Sequence, residues 1–429
     1  MRLFGKGITG RVSKPTQNTQ KTLPRAKRFP PFHFFHTVEK SPHAMNTGAN
    51  QPNAPMRVLF VNRMACLERG GGETFDLEIS RHLARAGIQI SYLCGAPLFS
   101  SPPLPLQGAR VLHTPWLRRF PWDKVKGGWR VRQLEFEWFE WRAARWVARH
   151  ATRYDIIQVC ELPNFVYWLK KRGAPTPVVM RLTAPNYHDP RGGVPLADAL
   201  IASGTSIARL RERGHINVQN IPNAVDADHF KPQPSAFRET LNIPRDAFVV
   251  LYVARFQAFK NHALLLNAFA ALAKDRPASH LLLVGSGPLR AAIEKQAADL
   301  GLTPRVHFLG EIPFQDLPAI YAAADVHAIS SDYESFCFAA IEAMSTGLPI
   351  LTTDCGWVPN LVADDAGIIT PVGDPAAFAA ALKKLADNPA LRHRLGATGR
   401  ALVLDRHTWP ASAEKLHALY RSLIQNRPV

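Results

Sequence analysis

Residues 330–361 read SSDYESFCFAAIEAMSTGLPILTTDCGWVPNL, and the interpretation of the whole chain depends on this stretch. Two carboxylates, Glu334 and Glu342, have seven residues between them. Serine and aspartate at the start supply turn and capping groups, helix-forming residues follow, and Gly347 with Pro349 ends the helix. The apolar run after Pro349 predicts a buried strand. The stretch therefore predicts a loop, a helix and a strand in that order.

The spacing of the two glutamates suggests a chemistry. Eight positions of helix advance about 12 Å and turn about 80° beyond two full turns, so we expect both carboxylates on one side. Free N–H groups near the helix start, over residues 335–338, suit a phosphate. A nucleotide sugar fits, with Glu334 on sugar hydroxyls, amides on the diphosphate and Glu342 on ribose hydroxyls. By spacing alone, however, two glutamates on a helix usually mark only a solvated face.

The composition indicates an ordinary globular protein. The chain has 429 residues, 46% of them hydrophobic and 20% charged, which is enough for two or more domains with full cores. No apolar run approaches the roughly 18 residues of a membrane span. The formal net charge of +18 is compatible with nucleic acid, anionic lipid or phosphorylated substrates. Five cysteines without a C-x-x-C pair indicate a reducing compartment and argue against a zinc site or a disulfide framework.

Residues 1–55 predict a disordered basic leader. They hold nine Lys or Arg against one acid, and they show no hydrophobic period. A G-x-G-x-x-G string at 5–10 has no strand before it, so we interpret it as fortuitous. Met45 and Met56 are alternative start sites, and a targeting or surface-binding tail is the competing interpretation.

The next segment predicts a βαβ unit with a glycine-rich first turn. Strands are expected at 57–61 and 88–94, with a helix over 74–86 between them. Gly70 and Gly71 in the turn let the backbone approach a ligand closely, or they simply form a tight turn. Further along, three polar residues are weak candidates for acceptor contact, each of which also has an ordinary structural or solvated explanation: Glu161, Asn164 and His188.

Residues 96–153 are rich in tryptophan and basic residues. They hold six of the nine tryptophans, and residues 110–153 contain eleven Lys or Arg against four acids. A helix is predicted over 129–150. Basic residues interleaved with aromatic ones suit an anionic membrane surface, and the alternative is that the tryptophans fill a core. Nucleic acid would use the same chemistry, but no binding motif is present, so no nucleic-acid partner is expected.

The second half predicts another α/β unit. After a strand at 248–253, Arg255 and Lys260 stand in a loop that leads into a helix, an arrangement that suits an anion clamp. Two exposed bases without a ligand are the commoner explanation for such a pair. The turn at 285–288, Gly-Ser-Gly-Pro, does not continue as G-x-G-x-x-G, because position 290 is arginine. This argues against a nicotinamide dinucleotide site.

The stretch at 330–361 resembles the Glu-x7-Glu motif of retaining glycosyltransferases with the two-domain GT-B fold, in the family often called GT4. The likeness includes the following strand and a Gly-x-x-Pro element at 356–359. The turn at 70–73 resembles the family's Gly-Gly-x-Glu turn, and residues 221–230 resemble its hinge. The resemblance covers about residues 57–423.

This resemblance implies an architecture: an α/β protein with two Rossmann-like domains facing a central cleft, behind the basic leader at 1–55. The expected acceptor-binding domain spans 56–228 and the nucleotide-sugar-binding domain spans 229–406. A C-terminal helix within 407–429 would cross back to the first domain.

The resemblance also implies roles for single residues. Arg255 and Lys260 would hold the donor diphosphate and Glu334 the sugar, and these three form the expected catalytic set. Glu73 would border the acceptor together with the weak candidates above. No metal ligands and no cofactor are expected. The remaining donor-binding candidates are Gly70, Gly71, Gly285, Ser335, Phe336, Cys337, Phe338 and Glu342.

Two departures from the family pattern are visible. Gln158 and Cys160 stand where many members carry histidines, which puts an imidazole role in doubt. Ser335 and Cys337 replace the glycines that often flank the phenylalanine. The side chain of Cys337 would occupy space close to the sugar, so we expect the choice of donor to differ from that of common members.

The implied activity is a retaining, metal-independent, hexosyltransferase-type transfer from a nucleoside diphosphate sugar to an acceptor hydroxyl. The leaving phosphate oxygen would take the acceptor proton on the same face. We expect a glycan or lipid-linked acceptor in cell-envelope, lipopolysaccharide-type synthesis, and a cytoplasmic protein or one peripheral on the inner face of the plasma membrane. The alternatives are a nucleotide-sugar epimerase of the same fold and a non-catalytic membrane-binding protein on this scaffold.

Overall fold

The computed structural model describes residues 54–67, 70–97, 106, 108–114, 128–183, 187–362 and 365–426. The leader predicted at 1–55 lies outside the described residues, apart from its last two positions. Trp116 and Trp122 also lie outside them, and Trp129 is described by its backbone alone.

The first domain is built on seven parallel strands. They are β1 (Arg57–Val61), β2 (Gln89–Pro97), β3 (Arg110–Thr114), β4 (Ile156–Cys160), β5 (Val178–Arg181), β6 (Ala199–Ala202) and β7 (Val218–Asn220). The helices are α1 (Gly71–Arg85), α2 (Gly128–His150), α3 (Pro163–Lys170) and α4 (Thr205–Glu212). In the sheet the order is β3-β2-β1-β4-β5-β6-β7. The order reverses beside β1, and ligands of open α/β sheets bind at such switch points, outside the carboxyl ends of the strands.

The second domain repeats this plan with six parallel strands. They are β8 (Val249–Val253), β9 (His280–Val284), β10 (Val306–Gly310), β11 (Val326–Ile329), β12 (Ile350–Thr353) and β13 (Gly367–Thr370), in the order β10-β9-β8-β11-β12-β13. The helices are α5 (Phe237–Thr240), α6 (His262–Asp275), α7 (Arg290–Asp299), α8 (Leu317–Tyr321), α9 (Phe338–Ser345), α10 (Val358–Val362), α11 (Pro375–Asp387), α12 (Pro389–Arg406) and α13 (Trp409–Gln425). The predicted fold class is confirmed.

Helices cover both faces of each sheet, which is why the central strands read as continuous apolar runs. On one face of the first sheet, α2 packs through Phe139, Ala143 and Val147. On the other face, α1 packs through Phe75 and Ile79, among other residues. The buried face of α2 is therefore made mainly by alanine, valine and phenylalanine, with the partly buried Trp146 packed against it, whereas Trp138 is exposed.

The last helix, α13, lies on the first domain although it follows the second in sequence. Its residues Trp409 and Tyr420 belong to the hydrophobic cluster around α1. The Tyr420 hydroxyl donates a hydrogen bond to the Gln158 side chain. Just before the helix, Thr408 pairs with Val225 as an isolated parallel bridge. The chain thus passes between the domains twice, and the two passages lie side by side.

The expectation that the chain has no disulfide is wrong. Cys66 and Cys94 form a disulfide, with their Cα atoms 6.2 Å apart. The inference against disulfides used spacing in sequence. The two residues are 28 positions apart, but Cys66 lies in the turn after β1 and Cys94 lies within β2, and these strands are adjacent and parallel. Cys160, Cys337 and Cys355 are free. No described helix is long and apolar enough to cross a membrane.

Candidate functional site

A cavity of about 360 Å³ lies between the loops at the carboxyl ends of the two sheets. The first domain contributes Gly71, Gly72, Arg181, Thr183, Ser203 and Asn223, and the second contributes Tyr333, Ser335, Phe336, Cys337 and Phe338. The domains touch at its rim, where a β-carbon on Gly204 would lie 2.4 Å from the carbonyl oxygen of Ser335. The cavity is therefore walled by both domains.

Next to this cavity, Lys260 and Glu334 form a largely buried ion pair. The Lys260 Nζ lies 2.5 Å from Glu334 Oε1, and the side chains are 17% and 7% exposed. Ser331 Oγ donates to the same carboxylate oxygen at 2.8 Å. The Tyr252 hydroxyl lies 2.8 Å from Ser331 Oγ, and it donates to the Lys260 carbonyl oxygen at 2.9 Å. The carboxylate of Glu334 is thus held in one orientation by a cation and a hydroxyl.

The expected helical relation between Glu334 and Glu342 is wrong. Glu334 lies in the loop before α9, which begins only at Phe338. Cys337, the residue before the helix, has φ +68° and ψ +87°, a left-handed conformation that no α-helix can continue through. Of the seven residues between the glutamates, 335–337 are therefore loop and 338–341 are helix, and the one-face geometry does not apply.

Glu342 lies on α9 and is half-buried. Its Oε2 accepts a hydrogen bond from the Tyr321 hydroxyl at 2.7 Å. Burial raises the pKa of this carboxyl from 4.5 to about 7. Glu342 does not belong to the wall of the described cavity, whereas Ser335, Phe336, Cys337 and Phe338 do.

Arg255 follows β8 in an exposed position. Within the part of the chain that the structure describes, its side chain has no hydrogen-bond or ion-pair partner. The glycine turn after β9 packs against the loop that carries it. A β-carbon on Gly285 (φ +130°) would lie 2.2 Å from the Ala254 carbonyl oxygen. The Phe256 backbone N–H donates to the Ser286 carbonyl oxygen at 2.9 Å. Gly285 thus positions the Arg255 loop through backbone contact.

The glycine-rich turn of the first domain meets the second domain. A β-carbon on Gly71 would lie 3.3 Å from the Phe338 ring, at the start of α9. The Gly70 N–H donates to Glu73 Oε2 at 3.0 Å, so this carboxylate caps the first turn of α1. The starts of α1 and α9 therefore border the same cavity, with Glu73 used as a cap.

Of the three weak acceptor candidates, only Glu161 contacts a residue of the cavity wall. Glu161 Oε1 accepts from Thr183 N–H at 2.8 Å, and Thr183 lines the cavity. Asn164 is buried at the start of α3, where its Oδ1 has no hydrogen-bond partner among the described residues. His188 is exposed. Neither Asn164 nor His188 belongs to the described cavity wall.

Sequence reasoning did not single out Arg181, Ser203, Asn223 or Tyr333, all of which line the cavity. A signal was available for Arg181, because it is a charged residue that ends an otherwise apolar buried strand, and carboxyl ends of strands carry ligand sites. No signal marks Asn223, which reaches the cavity from the passage between the domains. Groups of three or more side chains suited to a metal ion are absent among the residues described.

Comparisons with known proteins agree with this geometry. Residues 235–402 match the family described as glycosyl transferases group 1. A D-inositol 3-phosphate glycosyltransferase from Corynebacterium kroppenstedtii is 35% identical over 50% of this chain and 49% of its own length. The chain thus spans about half the length of such relatives.

Relatives that match over most of the chain have lower sequence identity to it. A D-inositol 3-phosphate glycosyltransferase from Kineococcus radiotolerans is 29% identical over 84% of this chain and 92% of its own length. The crystal structure of Anabaena HepE, in complex with UDP and glucose, superposes with a TM-score of 0.67 and 22% identity, over 86% of this chain and 100% of that one. The latter likeness supports the GT-B fold. The second domain of this chain thus matches the group 1 glycosyl transferases, and the two facing α/β domains agree with the GT-B fold.

Proposed function

We propose that this protein transfers a sugar from a nucleoside diphosphate sugar to an acceptor hydroxyl, with retained anomeric configuration and without a metal ion. The observation that supports this best is the buried Lys260–Glu334 pair beside a two-domain cavity at the start of α9. A carboxylate oriented by a cation suits sugar hydroxyls, and a cation with helix N–H groups suits a diphosphate.

In this proposal Glu334 binds the sugar of the donor and Lys260 binds its diphosphate. Both hydrogen bonds to the carboxylate use Glu334 Oε1, so Oε2 is available to a sugar hydroxyl. Lys260 and the amides at the start of α9 would stabilise the charge that builds on the leaving diphosphate. Loss of one such preorganised donor typically raises the barrier by roughly 3–4 kcal/mol. Charge stabilisation by residues already in place is why no metal is invoked.

Retention is proposed from the family resemblance, and a same-face route is proposed because Glu334 is poorly suited to be the nucleophile of a double displacement, which would also retain the configuration. Lys260 at 2.5 Å and Ser331 at 2.8 Å both contact Oε1 of the carboxylate and stabilise its negative charge, which lowers the nucleophilicity of the whole group. The leaving phosphate oxygen would take the acceptor proton on the same face. NMR of the first-formed product tests this, since an inverted anomer contradicts retention. Unchanged activity in excess chelator is the expected result for metal independence.

The relatives suggest which substrates to try first. HepE was crystallised with UDP and glucose, so UDP-sugars lead the donor panel. The glycosyltransferases named for D-inositol 3-phosphate make a phosphorylated polyol one acceptor class, beside a glycan or lipid-linked acceptor of the cell envelope. A matching donor at 100 times its dissociation constant should stabilise the fold by about 2.7 kcal/mol, which a thermal-shift panel detects.

The same panel separates the rival functions. A transferase hydrolyses its donor slowly without acceptor and releases free sugar. A nucleotide-sugar epimerase would instead convert the donor into its epimer, which chromatography of the nucleotide sugars detects. A protein that neither binds nor consumes any donor would support the non-catalytic alternative and contradict our proposal.

We further propose that the protein binds peripherally to an anionic membrane, at the inner face of the plasma membrane, through the outer face of α2. Leu134 and Trp138 are 66% and 36% exposed there. The Arg142 guanidinium lies 4.7 Å from the Trp138 ring centre, and that of Arg145 lies 5.7 Å from the Trp141 ring. Positions 134, 138, 141 and 145 share one helical face. Aromatic rings with adjacent cations suit anionic headgroups.

Vesicle sedimentation tests this surface. We expect binding to vesicles of phosphatidylglycerol with phosphatidylcholine, weaker binding to phosphatidylcholine alone, and loss of binding when Leu134 and Trp138 are both changed to serine. Ile216→Ser is the matched control, because Ile216 is 77% exposed in the same domain but away from α2. Equal binding by the double variant and the control would contradict the proposal.

A further inference from the structure

Arg181 is a buried cation without a direct ion pair among the described residues. It ends β5, is 3% exposed and lines the cavity between the domains. Its guanidinium donates to Asn223 Oδ1 at 2.9 Å and to the Gly72 carbonyl oxygen at 3.4 Å. It lies 3.9 Å from the centre of the Phe75 ring. All of these partners are neutral.

No carboxylate of the described residues lies within the 4.0 Å of an ion pair with Arg181. Asp76 is the acid that acts on it electrostatically, but its oxygens are used elsewhere. Asn62 Nδ2 donates to Asp76 Oδ2 at 2.8 Å, and Gln158 Nε2 lies 3.5 Å from Oδ1. A buried charge normally has a partner, because burial without one is strongly unfavourable. The cavity is the direction from which such a partner can come.

The surroundings favour an anion. Two helices, α1 with 15 residues and α9 with 8, begin at the same cavity, through Gly71 and Phe338. The first N–H groups of a helix have no partner within it, and the helix dipole places positive charge there. A planar guanidinium beside two helix starts matches the geometry of a phosphate group.

We propose that Arg181 binds a phosphate-type oxyanion in this cavity, between the starts of α1 and α9. The inference rests on the proposed function for its two sources, which are the donor diphosphate and a phosphorylated acceptor. In either case the first domain supplies a cation to a ligand that the second domain also holds. Binding of the anion would then draw the two domains together.

Calorimetry with UDP, uridine and inorganic phosphate tests the proposal. Asn223→Asp places a carboxylate against Arg181 without removing any atom of the cation, so we expect the fold to be kept. Arg181→Gln removes the positive charge, and Arg181→Lys keeps the charge but removes the planar guanidinium with its paired N–H donors. Asn220→Asp, at an exposed position of β7, is the control for the added negative charge.

We expect Asn223→Asp and Arg181→Gln to weaken anion binding about tenfold or more, Arg181→Lys to weaken it less, and uridine binding to stay unchanged. Loss of UDP affinity identifies the donor as the source. Unchanged UDP affinity with lost phosphate binding, measured in saturating UDP, identifies an acceptor. Unchanged affinity for both anions in folded Arg181→Gln and Asn223→Asp overturns the inference.

The outcomes separate this inference from the proposed function. A wild-type protein that binds phosphate through Arg181 but binds and hydrolyses no nucleotide sugar would contradict the proposed function alone. A wild-type protein that uses UDP-sugars, and whose Arg181→Gln variant binds UDP and phosphate equally well, would contradict the inference alone.

Discussion

Gly356 fixes the backbone of Glu334: a β-carbon at position 356 would lie 1.7 Å from the Glu334 carbonyl oxygen. The neighbouring Trp357 N–H donates to that same oxygen at 3.2 Å. With φ +60°, Gly356 also adopts a conformation that favours glycine. The loop after β12 therefore fixes the conformation of the loop that carries Glu334.

The first prediction follows from this contact. Gly356→Ala should move Glu334 and lower transfer by about two powers of ten, because displacements of about 1 Å at a positioned group have this effect. Gly373→Ala is the matched control, since Gly373 has φ +75° but nothing within 4 Å of its β-carbon position. Both variants should be destabilised by about 1–2 kcal/mol from backbone strain. Equal activity in the two folded variants would show that the Gly356 contact does not position Glu334.

The second prediction concerns the ion pair. Lys260→Ala removes a donor to the diphosphate and leaves Glu334 with Ser331 as its partner, so transfer should fall by about two to three powers of ten. Circular dichroism should show a folded protein. Lys295→Ala is the control, because Lys295 pairs with Asp299 at 2.6 Å on the exposed surface of α7. Retention of most activity in Lys260→Ala would count against its catalytic assignment.

Replacement of Glu342 tests the ribose contact separately. Glu342→Ala should nearly abolish transfer through lost nucleotide binding, while uncomplexed protein stays folded. Tyr321→Phe removes the hydroxyl that donates to Glu342 at 2.7 Å but keeps the carboxyl, so its effect on UDP affinity should be smaller. Calorimetry with UDP measures both. An unchanged UDP affinity in Glu342→Ala would remove Glu342 from the donor site.

The third prediction is a pH dependence of stability. Burial raises the pKa of Glu140 from 4.5 to about 7. A group whose pKa is higher in the folded state stabilises the fold at low pH, and this contribution is lost as pH rises through the folded value. The contribution of Glu140 to stability should therefore be lost between about pH 4.5 and 7, the unfolded and folded pKa values, and Glu140→Gln should flatten the fall.

Other groups with shifted pKa values contribute over the same pH range, among them Asp76, whose pKa burial raises to about 6. Glu342 acts in the same sense, since its pKa is also raised to about 7. Burial lowers the pKa of His262 to about 4 and that of His327 to about 3, which makes stability rise with pH below their usual value of 6.5. Comparison of Glu140→Gln with wild type at each pH isolates the Glu140 carboxyl, because the histidines are the same in both proteins. Glu137→Gln on the same helix, where Glu137 pairs with Arg191 at 3.1 Å, is the control and should leave the slope unchanged.

The fourth prediction concerns the choice of donor. Cys337 lines the cavity in a left-handed conformation, with φ +68°. Cys337→Gly should remove the side chain, relieve roughly 1 kcal/mol of backbone strain and admit bulkier sugars. Relative kcat/KM values across a donor panel measure the breadth. Cys355→Ala, at a buried free cysteine outside the cavity wall, is the control. An identical donor profile in Cys337→Gly and wild type would show that the thiol does not select the sugar.

Patterns of short range predicted much of the fold. Runs such as VVLYV in β8 predicted buried strands, and Gly347 with Pro349 marked the end of α9. The resemblance placed Lys260 and Glu334 on one ligand. It did not predict that they bind each other. It also placed Glu342 at a ribose; the structure shows Glu342 bound to Tyr321, so the ribose contact remains a prediction.

What the sequence alone determined is the class of fold and the motif, because apolar period, turn residues and the Glu-x7-Glu spacing depend on near neighbours. Only the tertiary structure decided three features. They are the left-handed conformation of Cys337 just before α9, the Cys66–Cys94 disulfide, and the burial of the Arg181 guanidinium without a direct ion pair among the described residues. Each of these depends on groups brought together from distant parts of the chain. Their distances and burial follow from how the sheets and helices pack, and no local pattern encodes them.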